Sequence, residues 1–544
     1  MKMTRRELLR ASAATIGAAA VAPAALGELN PVGSAHAAQH ASVGADAVLE
    51  GLGKAVPVKI NIAATAPIRT MSGGIGASIH VISTELPSKK PGRRDSWSGS
   101  EWGGNPEPSD ESHWQELAHH AEWLGMDWCR VELEQRVYEP GKRAFDWDNS
   151  EMQVLYMVLD WAERNGVDVF LTQMWANVGW NAYPGSAEDP VKRLRSAPNS
   201  IPEFAFGLGE LLEHLIKRKA YTCIKWVVIC NEPEQDGFSW WQDANMKALP
   251  ITPGLKAARE EFDRRGLSVP LSGPDWSYLP AFEPAKIECE PYVGAFDFHS
   301  YDAVFDSMGE ENNLTEVEKR LAAWAKWAHA KNKSLFLSEF GTMGYGWGSD
   351  DAAPACYQSG LKNASLVVRG INAGVDGFNR WSFTNRGDLD GQWQLVRTWD
   401  IEANKLLDAF TPQPNAYYQF AMLTRYFPKH SGVLTTRVEA PFQPTDRKLV
   451  ATALRSPKGG TTILVVNESH HAAEVSIALE GLAAPLKLQR YSLTKEAQDK
   501  SQVSINPERT IEVAKDFKDR IPPESIVVYS TFKLRAEEPG LITE

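Results

Sequence analysis

Short apolar segments alternate with segments of helical periodicity along most of this chain, and this alternation constrains its fold most strongly. The apolar segments are too short for helices and are rich in β-branched and aromatic residues, which is typical of buried strands. Each is followed by a helical or helix-like segment. The eight predicted strands cover residues 71–80, 127–133, 168–174, 226–230, 268–272, 295–299, 334–339 and 375–381.

Alternating strands and helices predict parallel strands joined by right-handed crossovers. Eight such units within residues 71–430 predict a (β/α)8 TIM barrel of the α/β class, enlarged by insertions. An open, doubly wound sheet is the alternative that the same alternation permits.

Helical spacing ends near Gly432, and short alternating segments replace it. We therefore predict a small C-terminal all-β sandwich over residues 431–544. A further strand at 58–64, within the N-terminal segment 38–70, is expected to join that sandwich. The predicted sandwich strands cover residues 449–454, 461–466, 473–479 and 525–529.

The first 37 residues carry a targeting pattern. Arg5 and Arg6 precede a weakly apolar, alanine-rich run, and Ala35-His36-Ala37 is a small-x-small cleavage site. This pattern predicts a twin-arginine signal peptide over residues 1–37 and a periplasmic or extracellular destination in a bacterium. An ordinary alanine-rich helix is the alternative. No other apolar run in the sequence is long enough to span a bilayer.

Charge and motifs exclude several partners and cofactors. The net charge of -12 argues against nucleic acid, whose binding proteins usually carry a basic face. The glycines at 73–76 miss the dinucleotide-binding spacing, because Ile79 stands where the third glycine belongs. The sequence also lacks HExxH, a P-loop, a GxSxG elbow and a metal-spaced Cys/His cluster. We therefore expect no cofactor and no metal, and the oligomeric state stays open.

The 5 cysteines form no CxxC pair, and their number is odd. A disulfide framework is therefore not expected, although a single bridge stays open.

Two of the predicted strands end in a similar way. The segment 226–230 is followed by Asn231, Glu232 and Pro233, and the strand at 334–339 ends in Glu339. The carboxyl ends of parallel barrel strands meet at the end where barrel enzymes keep their chemistry. Two carboxylates placed there are what cleavage of a glycosidic bond requires. For either glutamate alone, an ion pair with a neighbouring arginine is the alternative.

These strand-end residues resemble those of the clan A retaining glycoside hydrolases. In that clan the acid/base glutamate follows the fourth strand and the nucleophile glutamate follows the seventh, which are the predicted positions of Glu232 and Glu339. The clan's second-strand arginine matches Arg130 in Cys129-Arg130-Val131-Glu132. Its sixth-strand His-x-Tyr matches His299-Ser300-Tyr301, and its eighth-strand tryptophan matches Trp381.

The resemblance covers the barrel, about residues 73–427. The N-terminal strand and the C-terminal sandwich look like families 30 and 39. Asn231-Glu232-Pro233-Glu234 is also similar to family 30, whereas His299-Ser300-Tyr301 is similar to family 5.

The resemblance implies a retaining glycoside hydrolase that cleaves β-linked O-glycosidic bonds in oligo- or polysaccharides. Glu232 would be the general acid/base and Glu339 the nucleophile. Asn231 would hydrogen-bond the sugar 2-hydroxyl, and Trp381 would floor the subsite of the cleaved sugar. Arg130 would hold Glu339 ionised.

Four further residues carry weaker expectations. Tyr301 could donate to Glu339, and His299 could orient the acid or touch sugar, with a core histidine as the alternative. Trp175 and Asn177, which end the third strand, are candidate sugar contacts, although a core tryptophan is an even alternative. Three other carboxylates rival the chosen pair without its strand-end context: Glu132, Glu134 and Asp275.

A non-catalytic carbohydrate-binding surface protein on a barrel scaffold is the competing function. The presence of both glutamates favours the enzyme, because a binding protein has no need to keep them.

Export is testable at the paired arginines. We expect replacement of Arg5 and Arg6 by lysine to retain the protein in the cytoplasm, because the twin-arginine route depends on that pair. Cell fractionation and immunoblotting measure this, with wild type as the control. An unchanged periplasmic yield would contradict the prediction.

Overall fold

The computed structural model describes residues 55–81, 105–177, 179–183, 194–234, 240, 251–277, 279–301, 311–341, 357–384, 394–400, 405–440, 449–499 and 506–531. The predicted signal peptide lies outside these residues. Among the helices described, none is both long and apolar enough to cross a membrane.

The described strands, in chain order, are β1 (Val56–Ala63), β2 (Arg69–Thr70), β3 (Ile75–His80), β4 (Trp128–Leu133), β5 (Asp168–Gln173), β6 (Ala182–Tyr183), β7 (Leu194–Pro198), β8 (Ile224–Val228), β9 (Leu271–Ser272), β10 (Ala295–Tyr301), β11 (Ser334–Gly341), β12 (Gly377–Arg380), β13 (Val396–Asp400), β14 (Lys405–Pro412), β15 (Gly432–Leu434), β16 (Thr436–Glu439), β17 (Leu449–Arg455), β18 (Thr461–Asn467), β19 (Ala473–Glu480), β20 (Leu486–Thr494), β21 (Arg509–Val513), β22 (Asp516–Ile521) and β23 (Ser525–Ser530).

The described helices are α1 (Glu111–Leu124), α2 (Gln135–Tyr138), α3 (Ser150–Asn165), α4 (Ile201–Leu212), α5 (Thr252–Arg264), α6 (Leu279–Cys289), α7 (Glu311–His329), α8 (Tyr357–Ala373), α9 (Pro414–Thr424) and α10 (Lys495–Asp499).

Eight parallel strands close into a barrel in the order β3-β4-β5-β8-β9-β10-β11-β12. The pairing of Phe378 in β12 with Ile75 in β3 completes the closure. The (β/α)8 prediction is therefore confirmed, and the open doubly wound sheet is excluded, because such a sheet would leave two unpaired edges.

Helix α3 illustrates why the sequence predicts the barrel helices well. The Asn149 side chain caps the first turn by accepting from the Met152 amide, and Gly166 ends the helix with a φ of 64°. A position with such a left-handed backbone favours glycine. The apolar positions Met152, Leu155 and Leu159 fall on one buried face, as the periodicity predicts.

One predicted helix is shorter than expected. The segment 202–218 predicts a single helix, but α4 ends at Leu212 and a π-helical turn covers Glu213–Arg218. His214 lies in this wider turn, where its ring stacks on Trp147 at 4.2 Å and contacts the Tyr156 hydroxyl at 2.8 Å. These tertiary contacts accompany a turn that helix propensity alone does not predict.

Aromatic side chains fill the amino-terminal end of the barrel. Trp128, Phe170 and Phe336 pack together there, with ring centroids 5.3 to 6.0 Å apart. Gly76 admits the closely passing β4 backbone, since a Cβ there would lie 1.6 Å from the Trp128 carbonyl oxygen. This apolar plug closes one end of the barrel and leaves the polar side chains at the other.

Two sheets form the C-terminal sandwich. A four-stranded sheet has the order β16-β1-β19-β22, so the N-terminal strand β1 lies inside it, and a seven-stranded sheet has the order β2-β15-β17-β18-β23-β20-β21. Apolar residues from both sheets, including Ile60, Ile463, Ile477 and Val527, form the core between them.

The other face of the seven-stranded sheet packs on the barrel. Val466 and Val528 belong to the same apolar cluster as the barrel core. Two hydrogen bonds cross the junction: the Tyr357 hydroxyl donates to the Leu493 carbonyl at 3.1 Å, and the Asn372 amide donates to the Ala451 carbonyl at 2.9 Å. The sandwich thus covers helix α8 of the barrel.

Some elements escape prediction from the sequence. The sequence does not predict the hairpin of β13 and β14 or the short pair of β6 and β7, because their residues show little alternation. The described cysteines, which are Cys129, Cys223, Cys230 and Cys289, are buried and free.

Removal of the sandwich is testable. We expect a chain truncated before Gly432 to aggregate, because the apolar faces of α8 and α9 that pack on the sandwich would become exposed. The soluble fraction and size-exclusion profile measure this. A chain ending at residue 531, which keeps every described strand, is the control. A soluble, monodisperse and fully active barrel from the shorter truncation would contradict the prediction.

Candidate active site

The carboxyl ends of the barrel strands carry the side chains singled out from the sequence. Arg130 lies in β4, Glu232 follows β8, Tyr301 ends β10, Glu339 lies near the end of β11, and Trp381 follows β12 directly. All are buried. The parallel direction of the strands therefore brings residues far apart in sequence to one end of the barrel.

Glu339 receives donors at both carboxylate oxygens. Arg130 Nη1 donates to Oε2 at 2.7 Å, and the Tyr301 hydroxyl donates to Oε1. Burial raises the pKa of the Glu339 carboxyl above its ordinary value, and the charges of His299 and Arg130 oppose this rise while Glu232 adds to it. Glu339 is therefore held in a fixed orientation by protein donors, and it ionises at a higher pH than an exposed glutamate.

Glu232 lies close to Glu339. Its backbone φ is 42°, a left-handed conformation that is uncommon outside glycine and is found at functional sites. His299 Nδ1 lies 3.0 Å from Glu232 Oε1. One oxygen of Glu232, one oxygen of Glu339 and a ring nitrogen of His299 all lie within 4.8 Å of one another. The two glutamates at separate strand ends thus meet.

Arg130 has hydrogen-bonding partners at all three of its guanidinium nitrogens. Nε donates to Thr172 Oγ1 at 3.1 Å, and Nη1 donates to Glu132 as well as to Glu339. Nη2 donates to Asn231 Oδ1 at 2.9 Å and to Asp275 Oδ2 at 3.0 Å.

Burial alone would lower the pKa of Arg130, but the charges of Glu132, Asp275 and Glu339 more than reverse this effect and hold it above its ordinary value. The guanidinium therefore stays charged and fixes the side chains around it.

His299 bridges two carboxylates. Its Nδ1 lies 3.0 Å from Glu232 Oε1, and its Nε2 lies 3.0 Å from Asp275 Oδ1. Burial lowers the pKa of His299, but Asp275 and Glu339 outweigh burial and raise it well above its ordinary value. The sequence left open a core histidine, and the structure shows a histidine in contact with the candidate acid.

Trp381 packs against His80 near these groups. Its ring meets the His80 ring edge to face, with centroids 4.7 Å apart, and its amide donates to the Phe340 carbonyl at 2.9 Å. The peptide bond between Trp381 and Ser382 is cis. His80 Nδ1 in turn lies 2.8 Å from Glu132 Oε2. Trp381 is thus linked through His80 and Glu132 to the arginine cluster.

The two candidates at the end of the third barrel strand differ. Trp175 is buried past the end of β5, and its carbonyl oxygen accepts from the Gln135 amide and the Gln173 side chain. The Asn177 side chain donates to the Glu139 carbonyl after α2 at 2.8 Å and accepts from the Gly179 amide in its own loop at 2.7 Å. Asn177 therefore joins the loops that follow β5 and α2, and its part in sugar contact stays a prediction.

The sequence named three further carboxylates as rivals for catalysis, and the structure brings two of them to Arg130. Glu132 and Asp275 both contact Arg130, whereas Glu134 pairs with Arg136 at 2.7 Å. Glu132 stands two residues after Arg130 and so points to the same face of the strand. The direction of Asp275 does not follow from strand alternation, since β9 is only two residues long.

The protein distributes charge unevenly among the buried carboxylates. Burial raises the pKa of Glu132 and of Asp275, but neighbouring cations outweigh it and hold both pKa values below the ordinary range. Burial and the charge of Asp275 raise the pKa of Asp297 well above its ordinary value. Asp297 accepts from the Asp275 amide at 2.8 Å, so it positions Asp275.

The nitrogen of His299 and the oxygens of Glu232 and Glu339 lie close enough together to surround a small cation. Arg130 and Tyr301 already donate to both oxygens of Glu339, and His299 faces both glutamates. Protein groups thus already contact these carboxylates in the arrangement observed.

The fold and this arrangement of side chains define a clan A glycosidase on a TIM barrel. The family profile described as Cellulase (glycosyl hydrolase family 5) matches residues 88–368, which is more than half of the chain. The chain therefore belongs to glycosyl hydrolase family 5. No curated protein sequence matches it.

Solved structures resemble the chain over both of its domains. A family 30 endoxylanase from Clostridium papyrosolvens C71 aligns with a TM-score of 0.57 and 12% identity, covering 87% of this chain and 99% of its own. A conserved exported protein from Bacteroides fragilis aligns with a TM-score of 0.60 and 10% identity, covering 87% and 100%. An alpha-L-arabinofuranosidase from Thermotoga maritima aligns with a TM-score of 0.55 and 15% identity, covering 87% and 99%. At these identities the likeness shows a shared fold.

Proposed function

We propose that this glycosidase is a retaining enzyme that cleaves β-linked O-glycosidic bonds in oligo- or polysaccharides. The observation that carries the proposal is the approach of Glu232 and Glu339, whose nearest oxygens lie within 4.8 Å. Retaining enzymes hold the two carboxyl groups about 5 to 5.5 Å apart, whereas inverting enzymes hold them about 6.5 to 9.5 Å apart to admit a water. The observed spacing supports direct attack by a carboxylate.

Glu339 is the proposed nucleophile. Arg130 and Tyr301 donate to its two oxygens, and both contacts favour the ionised form. The same contacts orient the carboxylate before substrate binds, so little reorganisation remains for the reaction. Because burial raises the pKa of Glu339, we expect its attack to need a higher pH than an exposed glutamate would.

Glu232 is the proposed acid/base. In the first step it gives its proton to the glycosidic oxygen as Glu339 attacks the anomeric carbon, so that the leaving group departs as an alcohol and a covalent glycosyl-enzyme forms. In the second step Glu232 takes a proton from water, the water oxygen attacks the same carbon, and Glu339 leaves as a carboxylate. Two inversions give net retention.

Asn231 and Trp381 are the proposed substrate contacts. The Oδ1 of Asn231 accepts from Arg130 Nη2, so the amide nitrogen is the end that would donate to the sugar 2-hydroxyl. A bond to that hydroxyl strengthens in the oxocarbenium-like transition state and so accelerates the reaction. The Trp381 ring, held edge to face against His80, is the proposed floor for the sugar that is cleaved.

Polysaccharides outside the cytoplasm are the proposed substrates. This inference is supported by the twin-arginine pattern around Arg5 and Arg6. The names of the family and of the similar structures suggest which substrates to test first, namely cellulose, xylan and arabinofuranosides. A screen of aryl glycosides together with these polymers would define the sugar and the linkage.

The nucleophile is testable by chemical rescue. We expect Glu339→Ala to lower kcat for an aryl glycoside by about 10⁴-fold or more while thermal unfolding shows a folded protein, because covalent attack is lost. Added azide should restore cleavage and give a glycosyl azide of inverted configuration, identified by NMR. Gln358→Ala on the outer helix α8 is the matched control. Wild-type cleavage with inversion, or Glu339→Ala that keeps its activity, would contradict the assignment.

The acid/base has a different signature. We expect Glu232→Ala to spare the first step for leaving groups of low pKa, since these need little protonation, and to slow the second step, which needs a base. Pre-steady-state kinetics with a dinitrophenyl glycoside should therefore show a burst followed by slow turnover. Equal loss of rate for good and poor leaving groups, without a burst, would count against Glu232.

A further inference from the structure

We propose that Asp275 is a positioning residue that keeps His299 as a doubly protonated imidazolium between the two catalytic carboxylates, so that both glutamates face one fixed positive charge. This inference rests on the proposed function, and it assigns to Asp275 a role that the barrel motif does not include. Asp275 would act only through its neighbours, without touching substrate.

The backbone aims Asp275 into the site. Its φ is 57°, which lies in the left-handed region, and aspartate is one of the few residues besides glycine that adopt it. The Asp275 amide donates to Asp297 Oδ1 at 2.8 Å, which holds the turn after β9 in place. Asp275 is fully buried, so its orientation is set by the protein and not by solvent.

The Asp275 carboxylate contacts both cations of the site. Its Oδ1 lies 3.0 Å from His299 Nε2 and accepts from Ser338 Oγ at 3.1 Å. Its Oδ2 accepts from Arg130 Nη2 at 3.0 Å. Asp275 thus joins the arginine that holds the proposed nucleophile to the histidine that faces the proposed acid.

The geometry at His299 favours two ring protons. Nδ1 lies 3.0 Å from Glu232 Oε1 and 3.5 Å from Glu339 Oε2, while Nε2 lies 3.0 Å from Asp275 Oδ1. Ionised carboxylate oxygens only accept hydrogen bonds, and a neutral imidazole donates from one nitrogen alone. With one ring proton, on Nε2, the Nδ1 lone pair would face Glu232 Oε1, and Glu232 could bond to it only by donating the proton that the reaction gives to the glycosidic oxygen. The imidazolium satisfies both sides.

Every charged neighbour of His299 acts in a definable direction. Asp275, Glu339 and Glu232 favour the imidazolium, and Arg130 opposes it. Burial and the charge of Asp275 raise the pKa of Asp297 well above its ordinary value, which weakens its contribution. Asp275 matters most among these groups, because the reaction changes the charge of each glutamate while the charge of Asp275 persists through the cycle.

Asp275→Asn separates this role from simple packing. The asparagine amide can donate to His299 Nε2, which leaves a neutral ring whose Nδ1 still donates to Glu232. The variant thus loses the positive charge 3.5 Å from Glu339 together with the negative charge of residue 275. The loss of the positive charge dominates, because His299 is the strongest charge acting on Glu339 and Asp275 is not among its main ones. The pKa of Glu339 should therefore rise further, and the acid limb of kcat/KM should move to higher pH.

The experiment has a spectroscopic and a kinetic readout. In ¹⁵N-histidine-labelled wild type at pH 7, we expect both ring nitrogens of His299 to be protonated, with the signals assigned by their loss in His299→Gln. In Asp275→Asn we expect one protonated nitrogen. With an aryl glycoside, the acid limb of kcat/KM should move up by about one pH unit.

Two further variants exclude a merely structural effect. Ser338→Ala removes one hydrogen bond to Asp275 Oδ1 but no charge, so the acid limb of its kcat/KM profile should move by far less. In the His299→Gln background, Asp275→Asn should give no further upward shift, because two residues acting through one charge are not additive.

The outcomes are distinct. A neutral His299 in the wild type, an imidazolium that persists in Asp275→Asn, an unmoved acid limb, or an equal shift in Ser338→Ala would each overturn the proposal. The wild-type spectrum tests whether His299 is an imidazolium even if Asp275→Asn fails to fold. A wild type that cleaves no glycoside would overturn the proposed function instead, and the nitrogen spectrum would still decide the charge of His299.

Discussion

A single buried guanidinium organises the polar end of this barrel. Arg130 is wholly buried, and its donors contact Glu132, Glu339, Asp275, Asn231 and Thr172. Moving one such charge out of water costs several kcal/mol, and only a full set of partners offsets that cost. Removing one partner of a buried pair typically costs about 3 to 5 kcal/mol. The orientation of the glutamates and the amide therefore depends on Arg130, and its burial is tolerable only because they surround it.

The two ends of the barrel interior set the electrostatics of the site. Trp128, Phe170 and Phe336 close the amino-terminal end with aromatic rings. The charged side chains at the other end therefore lie in a medium of low polarisability, where each charge acts strongly on its neighbours. The pKa values of neighbouring carboxyls therefore shift in opposite directions: that of Asp275 lies below its ordinary value, and that of Asp297 lies well above it. Preorganised charges of this kind are a main source of enzymatic rate enhancement.

The sandwich supports the barrel from outside. Its seven-stranded sheet packs on α8, the helix that leads into β12, and β12 leads directly into Trp381. The strand β1, at the start of the described chain, lies between β16 and β19. From β1 onward the chain thus runs from the sandwich into the barrel and back to the sandwich. The sheet that covers α8 therefore lies one helix and one strand away from Trp381.

Local pattern determined the elements and the pair of glutamates. The spacing of apolar residues in α3 and the apolar runs of β8 and β11 predict the bounds of these elements to within a few residues. A helix buried on one face shows periodic apolar residues, and a fully buried strand shows a continuous apolar run. Glu232 and Glu339 stand out in sequence because each follows such a run. The arrangement of these elements as a closed barrel also follows from their order.

Tertiary structure alone decided the electrostatics of the site and the roles of the remaining polar residues. Asp275 follows a strand of two residues and leaves no periodic trace, yet a left-handed turn aims it at Arg130 and His299. Asn177 stands at a strand end like a site residue, but its side chain joins the loop after β5 to the loop after α2. Hydrogen-bond partners in the site can be far apart in sequence, as are Arg130 and Glu339, which are separated by 209 positions. No local pattern encodes such pairings, because only closure of the barrel brings the partners within reach.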